Sequence, residues 1–300
     1  MVKSHRFSRL ITPYLFLIPA IVIFLGLMVV PMVRALLLSL VKWDGIQEPA
    51  FVGLSNYRNL LDDRVFLLAT MNTLYFIVIM VIFQSTVPLL VAVLLNSGIK
   101  GGTFFRTVYF MPVIISLAIT GMLWSMIYEP NFGVINETLR SIGLGGLARF
   151  WLADKYTLIP SLAVVSIWQS LGFYMVIYFA GLQNIPQELI EAAKIDGAGP
   201  ATRLLKITIP LLRPVITVVV VLNTINSIKV FDHIWVMTAG GPNNQSTTFA
   251  TYLYQVAFGA MGSSNSQLGY ASAIGVVIFV ATFVLSVILV KYGQIEETEY

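Results

Sequence analysis

Long stretches without a charged residue limit the folding of this chain more than any other feature of its sequence. Of the 300 residues, 57% are hydrophobic and 11% are charged, whereas a soluble globular domain carries roughly 25% charged residues. A helix needs about 20 mostly apolar residues to cross the hydrocarbon core of a bilayer. Backbone polar groups inside lipid must also be hydrogen-bonded within the span. The sequence therefore predicts an all-α integral membrane protein.

Six stretches are long enough to cross a membrane, and we predict that they form one transmembrane domain over residues 1–300. The fifth stretch in chain order includes Arg213 near its start and Lys229 and Asp232 near its end. The other five contain no charged residue. Lys229 and Asp232 are three residues apart, so we expect them to pair with each other. The predicted spans cover residues 13–33, 66–95, 107–128, 157–182, 211–236 and 268–290.

The distribution of basic residues predicts which side of the membrane each loop occupies. Six spans place both termini on one side, and cytoplasmic segments usually carry the excess of Lys and Arg. The termini and the loops on their side hold ten Lys and Arg residues, whereas the longer opposite loops hold six. We therefore expect a multi-pass membrane protein with cytoplasmic termini.

Several classes of chemistry find no support in the sequence. The chain has no cysteine, and its two histidines, His5 and His233, lie far apart without metal-ligand spacing. Basic residues are scattered in short loops between apolar runs, so we expect no nucleic-acid partner. The GxxxxGK[ST] phosphate loop is also absent, so any ATP would be bound by another chain.

The loop over residues 183–213 differs from the rest of the chain because it is polar and helix-forming. Pro186 suits the first position of a helix, and Gly197 suits its end, so we predict a helix over residues 186–195. Helices shorter than about 12–15 residues are marginal in water on their own. This one must therefore dock, either on the lipid surface or in a cleft of a cytoplasmic partner. The spacing of its residues leaves both alternatives open.

The same loop carries a family resemblance. Glu191-Ala192-Ala193, followed by Gly197 and by Ile207-Thr208-Ile209-Pro210, resembles the EAA loop of binding-protein-dependent ABC importer permeases. The run from Asp196 through Gly197 to Pro200 resembles the carbohydrate-uptake branch, of the maltose and glycerol-3-phosphate type. Ala201, Leu204 and Ile209 depart from that branch, and we expect them to change packing without abolishing coupling.

The resemblance extends over most of the chain, through residues 105–112, 131–136 and 238–242. It implies a type I ABC importer permease fold and a coupling helix that enters a groove of an ATPase. The residues that it assigns to coupling are Glu191, Ala192, Ala193, Asp196 and Gly197. It further implies a second homologous permease, two ABC ATPases that bind ATP and Mg, an extracytoplasmic solute-binding protein and a sugar-like solute. This chain would hold no cofactor and no hydrolytic residue.

Polar side chains inside the predicted spans are candidates for contact with the solute. In maltose-type permeases, positions that match Ser170, Phe173, Asn223 and Ser227 line the sugar site. Gln169 lies beside them, and aromatic faces with a few hydrogen-bonding groups are typical of small-molecule sites. The alternative is that these polar side chains hydrogen-bond between packed helices.

Two other classes of protein fit the sequence less well. An ion-coupled secondary transporter would carry acidic residues or broken helices near the middle of the membrane. A membrane enzyme would need clustered histidines or paired carboxylates, and the predicted spans contain neither. The sequence does not select the solute: a disaccharide, an oligosaccharide, a glycosylated polyol and glycerol-3-phosphate all fit.

Overall fold

Helices dominate the structure, a computed structural model that describes residues 15–259 and 267–295. About 76% of it is helical, which confirms the predicted fold class. The first two residues of the first predicted span, 13 and 14, lie outside the described part. The helices are α1 (Leu15–Leu38), α2 (Ser55–Asp62), α3 (Arg64–Asn96), α4 (Gly102–Ile114), α5 (Leu117–Ile127), α6 (Val134–Ser141), α7 (Leu158–Gln183), α8 (Gln187–Ile195), α9 (200–211), α10 (Arg213–Ile228), α11 (Asp232–Thr238), α12 (Phe249–Phe258) and α13 (Leu268–Ile295).

Five segments of the described chain are long and apolar enough to cross a membrane, and a bent pair of helices adds a sixth. The five are Leu15–Leu38, Arg64–Asn96, Leu158–Gln183, Arg213–Thr238 and Leu268–Gly293. The chain is therefore a helical membrane protein with six candidate spans. The sequence-based span limits, and the assignment of residues 1–300 to one domain, stay predictions.

The third candidate span is broken, although the sequence predicts a continuous helix there. α4 and α5 meet at an angle of 99°, because Ile115 and Ser116 between them are extended, with ψ of 135° and 138°. Pro112 lies one turn earlier and contributes no N–H to the helix. The Ile115 carbonyl freed by the break accepts a hydrogen bond from Gln169 Nε2 at 2.9 Å. A hydropathy count registers the apolar residues but not this change of direction.

Internal contacts divide the chain into two compact units. One comprises Met1–Asp62 and Leu253–Val277. Its described part holds a two-stranded antiparallel sheet, β1 (Val41–Lys42) and β2 (Ala50–Phe51). In this unit Asn56 is buried and donates to the carbonyls of Ser39 and Val41 at 2.8 and 3.0 Å.

The other unit comprises Asp63–Tyr252 and Ile278–Tyr300, and its core consists of two apolar clusters. One cluster joins the middle of α3 to the beginning of α7, through Phe76 and Leu162 among others. The second joins the end of α3 to the end of α7, through Leu89 and Tyr178 among others. The two helices therefore run in the same direction. Leu212 belongs to the second cluster and Ile234 to the first, so the α10–α11 span runs in the opposite direction.

Candidate functional site

The short helix α8 lies at the end of the bundle where α3 and α7 finish. It begins at Gln187, and Pro186 precedes it as an extended cap residue with ψ of 126°. The helix predicted from the sequence begins at Pro186, one residue too early. Glu188 lies in the first turn and Lys194 in the last, which is the arrangement that the helix dipole favours.

A tight turn at Gly197 ends α8. Gly197 has φ of +78°, a left-handed conformation that glycine adopts at low cost. Its N–H donates to the Lys194 carbonyl at 3.1 Å, and the Ala198 N–H donates to the Ala193 carbonyl at 2.8 Å. These two bonds form a Schellman motif, which satisfies carbonyls that would otherwise lack partners at the helix end. The turn therefore fixes where the chain leaves α8.

One side chain of α8 is buried against the bundle, and others are exposed. Ala193 is buried against the rest of the chain, whereas Glu191, Ala192, Asp196 and Gly197 are exposed. Two large apolar side chains are also exposed: Ile195 by 86% and Leu189 by 46%. Water disfavours such surface on a helix this short, so α8 presents a surface suited to docking on a partner or on lipid.

A cleft of about 670 Å³ lies between α8 and the bundle. The ends of α3 and α7 form one wall, and α8 and α9 form the other. Glu191 and Lys194 of α8 and Arg203 of α9 line it. Next to this end of the bundle, the Arg106 guanidinium lies 4.6 Å from the centre of the Phe179 ring, which joins α4 to α7.

The candidate solute residues of the fourth predicted span lie in the middle of α7 and differ in exposure. Gln169 is buried and bonds to Ile115 at the break between α4 and α5. Ser170 donates to the Ser166 carbonyl at 2.6 Å and accepts a short hydrogen bond from Gln84 of α3. Phe173 is 42% exposed. Of these three side chains, only Phe173 offers a large surface to a solute in this conformation.

The candidates of the fifth predicted span are buried in α10. Asn223 is 1% exposed and donates to the Met80 carbonyl of α3 at 2.8 Å. Ser227 is 2% exposed and donates to Asn223 Oδ1 at 3.3 Å. Met80 and Gln84 lie one turn apart on α3, so Ser170 of α7 and Asn223 of α10 meet the same face of that helix. Their contact with a solute stays a prediction.

Some polar contacts have no counterpart in the sequence analysis. His233 of α11 is buried and its Nε2 lies 2.7 Å from the hydroxyl of Ser166 on α7. Asn72 of α3 donates to the carbonyls of Gln245 and Thr247, both at 2.9 Å. These partners are far apart in sequence, and no local pattern indicates them.

The expected pair between Lys229 and Asp232 is wrong. The ion pairs within the described residues are Arg140–Glu137 at 2.6 Å and Arg149–Asp154 at 3.3 Å. Lys229 caps the end of α10 and Asp232 begins α11, with the chain turning between them. The helical spacing that would bring the two side chains together is therefore interrupted.

A family model covers nearly the whole chain. Residues 2–293 match the family "Binding-protein-dependent transport system inner membrane component". The chain belongs to this family and is a multi-pass component of a membrane transport system. The resemblance stated from the sequence is thus confirmed.

Individual relatives span the same length. The chain is 39% identical to a probable ABC transporter permease protein, YurN, of Bacillus subtilis, over 96% of this chain and 98% of that one. It is 33% identical to AmyD of Thermoanaerobacterium thermosulfurigenes, a probable permease protein of a transport system for starch degradation products, over 99% of both. It also resembles a chain of a bacterial alginate ABC transporter, solved in complex with an alginate pentasaccharide-bound periplasmic protein. That match has a TM-score of 0.80 and 25% identity over 96% of this chain and 95% of the other.

Proposed function

We propose that this chain is a permease subunit of an ATP-binding-cassette importer that carries a sugar or sugar-like solute across the bacterial inner membrane. Support for the substrate class comes from relatives matched along their full length, which are named for starch degradation products and alginate. An extracytoplasmic binding protein delivers the solute, in line with the family description and with the periplasmic protein bound to the alginate transporter.

The observation that carries the coupling proposal is the exposed surface of α8. Ile195 and Leu189 are exposed, on a helix whose end is fixed by the Schellman turn at Gly197. A partner ATPase that covers this helix would remove the apolar surface from water. Movement of the ATPase would then reach the bundle through Glu191, Ala192, Ala193, Asp196 and Gly197. ATP and Mg bind to the two ATPases, and a second homologous permease completes the pathway.

Copurification tests the composition of the assembly. The tagged chain is purified from native membranes in mild detergent, and its companions are identified by mass spectrometry. We expect an ABC ATPase, a homologous permease and a binding protein. Recovery of the chain alone, still active in solute uptake without ATP after reconstitution, would overturn the proposal in favour of a secondary transporter.

A crosslinking experiment tests the role of α8 directly. The chain has no native cysteine, so Ile195→Cys introduces the single thiol of the subunit. We expect a thiol-reactive crosslinker to join this position to the ATPase. Thr138→Cys, on an exposed position of α6, is the matched control and should give no such product. Equal yields at both positions would contradict the assignment of α8 as the coupling helix.

We further propose that the solute passes beside Phe173. In this conformation Gln169, Ser170 and Asn223 hydrogen-bond to other segments of the bundle, and Ser227 hydrogen-bonds to Asn223 on its own helix. These side chains would contact the solute only if hydrogen bonds to the solute replaced these bonds during transport. In an uptake assay, Phe173→Ala should raise KM for the solute at unchanged expression. An unchanged KM would show that Phe173 does not contact the solute.

A further inference from the structure

The cleft behind α8 has the character of a ligand site. Its volume of about 670 Å³ falls within the range of roughly 300–1,000 Å³ typical of small-molecule pockets. Its lining combines apolar side chains with charged ones. Val93, Leu182 and Leu204 supply the apolar part, while Glu191, Lys194 and Arg203 supply the charges. A ligand that fits this lining has both apolar and charged parts.

The two cations of the cleft have no ion-pair partner within residues 15–259 and 267–295, where the pairs found involve Arg140 and Arg149. Arg203 is also half-buried, and it gains no carboxylate partner within the described residues. Arg and Lys together are well suited to binding a phosphate group, which Arg can contact with two parallel hydrogen bonds. The cleft therefore offers a place for one phosphate.

The position of the cleft identifies the source of that phosphate. Its wall is formed by the ends of α3 and α7, two helices that cross the membrane. The apolar runs of both helices finish there, as they do at the level of the lipid headgroups. Basic pockets between spanning helices can hold the phosphates of lipid headgroups, as they do for cardiolipin. The apolar side chains of the lining can then receive the upper part of an acyl chain.

We propose that this cleft binds one phospholipid with a phosphoethanolamine headgroup. Lys194 and Arg203 hold the phosphate. The Glu191 carboxylate, which lines the same cleft, accepts the ammonium group of the headgroup. This charge pattern favours phosphatidylethanolamine over phosphatidylglycerol, because the latter has no cation to pair with Glu191. The bound lipid would fill the space between α8 and the spanning helices.

Native mass spectrometry of the purified importer complex tests the proposal. Delipidated complex is titrated with phosphatidylethanolamine or phosphatidylglycerol, and lipid retention is compared among the wild type, Arg203→Gln, Lys194→Gln and the control Lys155→Gln on the opposite loop. We expect one retained phosphatidylethanolamine per chain, and a weakening of about tenfold in each of the first two variants from the loss of a charge-assisted hydrogen bond. Lys155→Gln should retain the lipid as the wild type does.

Three outcomes would overturn the site. Equal retention by all four proteins would remove the two cations from lipid binding. Equal or tighter retention of phosphatidylglycerol would overturn the headgroup assignment. Displacement of the lipid by free phosphoethanolamine at equal concentration would make a soluble phosphate compound the ligand. The measured quantity is the mass of the bound lipid, so the result does not depend on the proposed import activity. Thermal unfolding of each variant shows whether that variant is folded.

Discussion

At the scale of single residues, Gly172 marks a close approach between α7 and α4. A Cβ added at Gly172 would lie 2.3 Å from the Tyr109 carbonyl oxygen and 2.6 Å from the Phe110 Cα. Both of these atoms belong to the backbone, so no side-chain rotation can relieve the overlap. Small residues allow this kind of contact between membrane helices.

Gly172→Ala should therefore destabilise the protein by about 1–3 kcal/mol, the usual cost of overpacking a tight core. We expect a lower midpoint of thermal unfolding in detergent. Gly146→Ala is the control, because an added Cβ there meets no atom within 4 Å. Equal midpoints for the two variants would contradict the close approach.

Asn223 offers a second test at this scale. Its amide is the hydrogen-bond donor to the Met80 carbonyl, so Asn223→Ala removes a bond between α10 and α3. Bonds of this kind contribute about 0.6 kcal/mol on average in membrane proteins, and up to about 1.7 kcal/mol. We expect a modest fall in the thermal midpoint with little change in KM. A raised KM at an unchanged midpoint would instead make Asn223 a solute contact.

At the scale of elements, the turn before α6 depends on one carboxylate. Glu129 accepts hydrogen bonds from the backbone N–H groups of Phe132 at 2.7 Å and Asn131 at 2.6 Å. These bonds, with a smaller effect from the positive charge of Arg140, hold the pKa of Glu129 below its usual value of 4.5. The charged form therefore supports the folded turn.

The sign of the pH effect follows from that lowered pKa. The contribution of Glu129 is fully present above the pKa of the unfolded chain, near 4.5, and is lost as the pH falls through the lower folded pKa. Hydrogen exchange of the Asn131 and Phe132 amides, corrected for intrinsic rates, should show protection that decreases in this acidic range. Glu129→Gln should have lower protection at neutral pH and little dependence on acid. A variant that kept the wild-type acid dependence would exclude Glu129 as the titrating group.

Gly197 fixes the end of a second element, α8, which carries the proposed coupling role. Because its φ is +78°, Gly197→Val should strain the turn and disturb the end of the helix, whereas Gly197→Asn should be tolerated better. A Cβ added at Gly197 meets no atom within 4 Å, so the strain expected there comes from the backbone conformation. In reconstituted complex, we expect solute-stimulated ATPase activity to fall more with Val than with Asn. Equal ATPase activities in the two variants would show that the turn at Gly197 does not affect coupling.

Some elements of this fold can be predicted from the sequence, and others cannot. Apolar runs identify the spans because lipid imposes their length and composition, and Pro186 and Gly197 indicate α8 to within one residue. The bend at Ile115 has no comparable pattern, since one proline within an apolar run does not specify a 99° turn. Asn223 and Met80 are 143 residues apart, so their bond depends on the packing of two spans. Polarity alone could not decide between solute contact and helix packing.

At the scale of the whole molecule, the proposed orientation places the termini and α8 in the cytoplasm. The directions of the helices place α6 and α8 at opposite ends of their unit. Single cysteines at Thr138 and Gly199, both exposed, can test the sidedness against a background without native cysteine. An impermeant maleimide should label Thr138→Cys in spheroplasts, and Gly199→Cys only after permeabilisation. The reverse pattern would invert the orientation.

The discontinuity of one compact unit has a consequence for how the protein is made. Met1–Asp62 and Leu253–Val277 belong together, and within this unit the Gly269 N–H donates to the Trp43 carbonyl at 3.1 Å. Synthesis proceeds from the N-terminus, so the first stretch leaves the ribosome long before its partner is translated. The first stretch therefore enters the membrane while its companion, 190 residues further along the chain, is still untranslated. A premature stop codon between residues 62 and 253 would remove Leu253–Val277 and leave Met1–Asp62 without the stretch that it packs with.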